Sequence, residues 1–159
     1  MEELIEKVEA WSKERNLNTA DPNKQRLKLW EEFGELNAAI ARDNREDAID
    51  AIGDMLVVMI IYKQQLGYGS NDVFKPKLDN IDFLYRLEDS ALLDYAGYGI
   101  VQTRSYIQSI EQVVDNLTML AYRLSTNLEE CLQSAYNEIK DRRGKMVNGV
   151  FVKESDLNG

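Results

Sequence analysis

Residues 46–61, EDAIDAIGDMLVVMII, decide the fold of this chain. Asp47, Asp50 and Asp54 recur at spacings of three and four, so an α-helix places all three on one face. The residues that follow, 55–62, carry no charged side chain. An apolar run of eight residues is too short to cross a bilayer, which needs about 20. The stretch therefore predicts a buried helix with one acidic edge.

A second acidic edge lies on the helix expected before this one. Asp21-Pro22 is typical of an N-cap followed by proline in the first turn, and it predicts a helix that ends near residue 42. Within it, LWEEFGEL at residues 29–36 brings three glutamates to one side. They are Glu31, Glu32 and Glu35. Asp43-Asn44 then predicts a tight connection into the helix over residues 45–66, which makes an antiparallel hairpin.

The two acidic edges are expected to face each other. Counted from Asn44, Glu35 lies nine residues back and Asp54 lies ten residues on, so at about 1.5 Å rise per residue both sit at similar depth. Packed helix axes about 8–10 Å apart bring them to one seam. Like charges so close repel unless they share protons or bind cations, and Mg²⁺ prefers such oxygen ligands. The alternative is two ordinary solvated faces, since most carboxylates are exposed.

Composition narrows the chemistry that the chain can perform. Its 159 residues have a formal charge of −9 and include no histidine and one cysteine. Histidine-based catalysis, most zinc sites and internal disulfides are therefore excluded, and metal-free binding to a phosphate backbone is disfavoured. The N-terminal MEELIEKVEAW lacks the features of a signal peptide. We expect a cytoplasmic protein with no nucleic-acid or membrane partner.

The remaining pattern predicts an all-α protein, a bundle of four to six helices in a single domain over residues 1–159. Periodicity weakens at Gly97-Tyr98-Gly99, which predicts a helix break there. Asn148-Gly149 predicts either a two-residue β-hairpin or an extended segment within a non-helical tail at about 144–159. Besides the central hairpin, the expected helices cover residues 2–15, 81–95, 103–125 and 128–142.

The last predicted helix offers groups that can bind phosphate. Asn137, Lys140 and Arg143 are spaced three apart and share a face, and Lys145 lies just beyond them. The alternative is a basic helix end that complements the helix dipole. Lys28, one turn before the glutamates, is a further candidate for phosphate binding.

Two motifs carry a family resemblance. EEFGE at residues 31–35 and DAIGD at residues 50–54 resemble the EExxE and ExxD motifs of the MazG-like all-helical nucleoside triphosphate pyrophosphohydrolases. The stretch YNEIKDRRGKMVNGVFVKE, residues 136–154, is similar to the tail of phage and bacterial members. The resemblance implies hydrolysis of nucleoside triphosphates to monophosphate and pyrophosphate, for nucleotide-pool sanitation or shaping in a bacterial or phage-infected cell. It also implies a homodimer or homotetramer. Residues 55–62 agree with this, because a helix that is apolar on all sides must be buried on all sides.

The resemblance also implies roles for individual acids. Ala51 stands where the ExxD motif has its glutamate. Asp50, one residue earlier, is one candidate substitute, and Asp47 is the alternative as an extra ligand. Glu31 or Glu35 is implied as the group that orients or deprotonates the attacking water. The implied ligands of magnesium, or of manganese as an alternative, are Glu32, Glu35, Asp50 and Asp54.

Other functions fit the same residues. A dUTPase- or dCTPase-type enzyme specific for one deoxynucleotide shares these acids, and a substrate panel would separate it. A catalytically inactive helical module that binds nucleotide or a protein partner is a hypothesis of another class, and Ala51 is its main argument. A nucleotide sensor that binds triphosphates with slow turnover is a third.

Overall fold

The structure, a computed structural model, describes residues 1–77, 81–147 and 150–154. This part of the chain is mostly helical, as predicted, and contains seven α-helices and one two-stranded sheet. Seven helices exceed the expected four to six because the periodic region 81–95 belongs to two helices. The helices are α1 (Glu2–Glu14), α2 (Pro22–Ala41), α3 (Arg45–Gln65), α4 (Ile81–Arg86), α5 (Asp89–Gln102), α6 (Ile110–Arg123) and α7 (Leu128–Ile139). The strands are β1 (Gly144–Val147) and β2 (Val150–Lys153).

Helices α2 and α3 form the expected antiparallel hairpin. The Asp21 side chain caps α2 by accepting a hydrogen bond from the Asn23 amide at 2.9 Å, with proline in the first turn. Asn44 caps α3 by accepting from the Asp47 amide at 3.3 Å. Near the far end of the pair, the Gln25 side chain donates to the carbonyl of Val58 at 3.3 Å. The start of α2 therefore lies beside the second half of α3.

Helix α3 is the centre of the core. All eight residues from 55 to 62 are buried within a single chain. Helix α2 packs on one side, α7 packs on another, and α1 also contacts α3. Gly53 permits the close approach of α7, because a Cβ there would collide with the Cys131 carbonyl oxygen. The apolar surface of residues 55–62 is thus covered without a second chain. It gives no argument for an oligomer, and the homo-oligomer stays a prediction.

The predicted helix break at residues 97–99 is wrong. Helix α5 continues through both glycines to Gln102. Gly97 lies against the Phe33 ring, 3.2 Å from the position a Cβ would take, and Gly99 lies against Val113. These glycines serve close helix packing, and the real interruption comes later, so that α6 begins at Ile110 instead of residue 103.

The C-terminal segment forms a β-hairpin, one of the two predicted alternatives. Strands β1 and β2 pair antiparallel, with Gly144 opposite Lys153 and Val147 opposite Val150. The predicted turn residues, 148 and 149, lie outside the described residues. Helix α7 ends at Ile139, earlier than the predicted 142.

Arg15 holds the chain after α7 in place. Its guanidinium donates to the Arg142 carbonyl at 2.9 and 3.2 Å and stacks over the Trp11 ring at 4.6 Å. The Phe151 ring of β2 meets the same Trp11 edge to face, with centroids 6.0 Å apart. The C-terminal hairpin is thereby docked next to the α2–α3 pair.

Within the described ranges, no helix has the length and apolarity that crossing a membrane requires.

Candidate functional site

A cleft of about 570 Å³ runs along the α2–α3 hairpin. Helix α2 contributes its polar wall and α3 contributes an apolar row, with α1 and the segment after α7 completing the rim. The acids at one end are Glu31, Glu32, Glu35 and Asp54. The apolar wall includes Trp11, Val57, Val58, Ile61, Ile139 and Phe151. The structure therefore brings together four of the predicted site acids in one concave surface.

Glu32 is the most unusual side chain of the cleft, since it is only 4% exposed. Its Oε1 accepts from the Lys28 ammonium at 2.7 Å. No donor within the described part of the chain reaches its Oε2, which is also buried. Burial raises the pKa of the Glu32 carboxyl, and the ion pair with Lys28 opposes that shift without cancelling it. A buried acceptor without a partner is costly, so this oxygen is suited to a ligand.

Asp54 lies across the seam from Glu32 and is half-buried. Burial raises the pKa of its carboxyl to about 7, and the negative charges of Glu32, Asp50 and Glu138 add to the effect. The positive charge of Arg142 acts in the opposite direction. At neutral pH this group is therefore close to half-protonated, and added positive charge in the cleft would ionise it fully.

The other predicted acids are exposed to solvent. Glu31 is exposed and pairs with the Lys28 ammonium at 3.0 Å. Glu35 is also exposed, and within the described residues its carboxylate has no hydrogen bond or ion pair. Asp50 is exposed one turn from Asp54 and does not line the cleft, while Asp47 accepts from the Asn44 side chain at 2.7 Å.

Ala51, which stands where the resembled ExxD motif has its glutamate, is buried in the hydrophobic core and offers no ligand. Asp50 as its substitute stays a prediction. In the described part of the protein, no three acidic, histidine or cysteine side chains are close enough together to hold one metal ion. The remaining donors are carboxylate oxygens, one of which is buried and has no partner in the described ranges. This chemistry fits magnesium, which is commonly held by one or two carboxylates plus water and phosphate oxygens.

The predicted phosphate-binding residues divide into two groups. Lys28 lines the cleft, as predicted for a substrate contact. Arg143 and Lys145 line a separate surface pocket of about 690 Å³ beside Arg15. Asn137 and Lys140 lie outside the cleft, and the Asn137 side-chain oxygen accepts from Lys140 at 3.4 Å and from Gln133 at 3.1 Å. The early end of α7 redirects the chain, so residues 140 to 143 do not continue the helical face.

The cleft contains Lys24 and aromatic rings that the sequence does not single out, and also Arg142, which the sequence offers beside Arg143 as a phosphate-binding cation. Arg142 lines the cleft in place of its neighbour Arg143, and Lys24 lies one turn before Lys28. Lys24 could have been found from its helical spacing to Lys28, and Arg142 from the basic residues around it in the sequence. Trp11 gives no such signal, because its partner Phe151 is 140 positions away in the sequence.

Comparisons with known proteins give one informative similarity. The chain is 42% identical, over 66 residues, to an uncharacterized 18.2 kDa protein in the rep-hol intergenic region of Haemophilus phage HP1. The match covers 41% of this chain and 40% of the phage protein, so the chain spans less than half the length of that relative. No family profile and no solved structure matches the chain. The phage relative agrees with the phage-like character that the C-terminal motif suggests.

Proposed function

We propose that this protein is a magnesium-dependent nucleoside triphosphate pyrophosphohydrolase of the MazG-like type. It would convert a (deoxy)nucleoside triphosphate and water to the monophosphate and pyrophosphate, in a bacterial or phage-infected cell. The observation that carries the proposal is the buried Glu32 carboxylate, whose Oε2 has no partner among the described residues, opposite Asp54 in a cleft that also contains cationic groups.

The acids of the cleft take the metal-binding role in this proposal. Glu32 and Asp54 would hold the ion, whereas Asp50 would act mainly through its charge on Asp54. When bound, magnesium supplies positive charge that stabilises phosphate oxygens and makes water a better nucleophile. An ion held by so few carboxylates keeps positions open for the phosphates of the substrate.

Glu35 is the better candidate for activating the attacking water. Glu31 is occupied by an ion pair with Lys28, whereas the Glu35 carboxylate has no such partner in the described ranges. A carboxylate with a free lone pair accepts a proton from water as the α-phosphorus is attacked. The bond between the α- and β-phosphates breaks, and pyrophosphate leaves with the electron pair.

The cations and the apolar wall would bind the rest of the nucleotide. Lys24, Lys28 and Arg142 line the cleft and are suited to phosphate oxygens. Val58 and Ile61 of α3 form an apolar surface further along, which suits a sugar and a base.

Pyrophosphate release tests the proposal directly. The assay uses each common NTP, each dNTP and dUTP, with magnesium or with EDTA. We expect magnesium-dependent release by the wild type and a loss of about 10²-fold or more in Glu35→Gln, typical of removing a general base or ligand. Glu46→Gln removes an exposed acid of α3 outside the cleft and should retain wild-type activity. Absence of release from every nucleotide would contradict the proposal, and release from one deoxynucleotide alone would favour the dUTPase- or dCTPase-type specificity.

A further inference from the structure

We propose that Lys28 is an internal counter-ion, which occupies the Glu32 carboxylate until a divalent cation displaces it and then binds substrate phosphate. This inference rests on the proposed function, because it needs a cation site at Glu32. The Lys28 ammonium lies 2.7 Å from Glu32 Oε1 and 3.0 Å from Glu31 Oε1, so it bridges both carboxylates. Partial burial alone would lower the pKa of Lys28, but these two hydrogen bonds raise it overall.

Lys28 neutralises Glu32 incompletely. Glu32 Oε2 has no hydrogen-bond partner within the described residues, although the ammonium occupies Oε1. A divalent ion carries twice the charge, and so it interacts more strongly with the same acids. The cost of displacing Lys28 is small, because its side chain is 45% exposed and its ammonium can move into water.

The displaced ammonium remains in the cleft. Lys28 lines the same surface as Glu32 and Arg142, and its four-carbon stem is flexible. Phosphates that complete the coordination of the ion would therefore arrive next to the released ammonium. Lys28 thus opposes the binding of the free cation and favours the binding of the nucleotide, and these two effects have opposite signs.

The test compares Lys28→Met with two matched variants. Lys28→Arg keeps the positive charge at the site. Lys7→Met removes a lysine of equal exposure, 45%, from the same kind of i,i+4 ion pair, but its partner Glu3 is 80% exposed instead of buried. The melting temperature of each variant is measured first, and all three should fold, because none of the three changes removes a core side chain.

The first readout is free Mn²⁺, measured by electron paramagnetic resonance without nucleotide. Lys28→Met should bind Mn²⁺ roughly tenfold more tightly than the wild type, because a nearby positive charge has been removed. Lys28→Arg and Lys7→Met should keep the wild-type affinity. The second readout is the binding of an α,β-imido nucleotide at saturating Mn²⁺, which Lys28→Met should weaken by roughly tenfold through loss of a charged phosphate contact.

The outcomes separate this inference from the proposed function. If the wild type binds Mn²⁺ and Lys28→Met binds it no more tightly, the counter-ion role is overturned and the enzyme proposal stands. If the wild type shows no binding but Lys28→Met does, the counter-ion role is supported in its strongest form. If neither protein binds Mn²⁺, the cation site itself is refuted and both proposals fall.

Discussion

Two buried charges on or beside α3 are treated in opposite ways. Lys63, near the end of the helix, is 1% exposed, and its ammonium donates to Glu9 Oε1 at 2.6 Å and to Asn71 Oδ1. Glu32, facing the middle of the helix, is nearly as buried, but one of its two oxygens has no partner in the described ranges. Lys28, the cation that pairs with its other oxygen, is partly exposed.

The difference separates a fully paired buried charge from a partly unpaired one. The charge of Lys63 is compensated by groups that hold it inside the fold, so it can contribute to stability without a ligand. The charge of Glu32 is left partly uncompensated, so the metal-free fold bears a cost that a bound cation can offset. A buried carboxylate with an unpaired oxygen among the described residues is thus a better guide to the candidate site than acidity alone.

The largest expected effect comes from breaking the satisfied charge. Glu9→Leu leaves the Lys63 ammonium buried with only Asn71 as its partner among the described residues, and it should lower the free energy of unfolding by about 3 kcal/mol. Urea denaturation measures this change. Glu6→Leu, at an exposed position on the same helix, serves as the control and should change stability by less than about 0.5 kcal/mol. Equal effects of the two substitutions would show that Lys63 has no need of Glu9.

The stability of the protein should depend on pH through the Asp54 carboxyl of α3. The folded-state pKa of Asp54 is about 7, far above its ordinary value of 3.8. The folded protein therefore binds more protons than the unfolded chain between these values, and stability contributed by protonated Asp54 is lost as pH rises from about 4 to 7. Thermal melts in EDTA should record this fall, and Asp54→Asn should make the slope shallower. Saturating magnesium should also make it shallower, because the cation favours the ionised form.

An unchanged slope in Asp54→Asn would contradict the raised pKa of this carboxyl. The melts need the same buffer ionic strength at every pH, since surface carboxylates also respond to salt.

The smallest expected effect comes from neutralising Glu32. Glu32→Gln keeps the shape of the side chain and removes a partly uncompensated charge, so in EDTA at neutral pH it should raise the free energy of unfolding by up to about 1 kcal/mol. The same substitution should abolish stabilisation by magnesium, because an ion that no longer binds the folded state cannot stabilise it. Clear destabilisation in EDTA would place Glu32 in the same structural class as Lys63.

Local signals predicted the hairpin that carries the site. Asp21-Pro22 and Asn44 mark helix starts, and the structure confirms both as N-caps with hydrogen-bonded side chains. The equal depth of Glu35 and Asp54 followed from helical rise alone, and both now line one cleft. These features depend on residues close in sequence, so one chain segment is enough to predict them.

Features that depend on distant contacts could not be predicted in this way. Gly97 and Gly99 lie in a continuous helix, because neighbouring helices pack onto them and compensate for their low helical propensity. The choice of Arg142 instead of Arg143 for the cleft depends on where α7 ends. The ion pair between Lys63 and Glu9 joins residues 54 positions apart. The spacing of residues within either helix does not indicate it.

The contact between Arg15 and the Arg142 backbone joins parts of the chain that lie far apart in the sequence. Glu32 and Asp54 meet through a hairpin with a short connection between its helices, so their contact is local. Arg142 lies 127 positions after Arg15, whose guanidinium donates to the Arg142 carbonyl oxygen. The acids of the cleft are thus brought together by local contacts, and Arg142 is placed by a long-range one. Because local contacts form faster on average, we expect a folding chain to bring its acids and Lys28 together before Arg142 joins them.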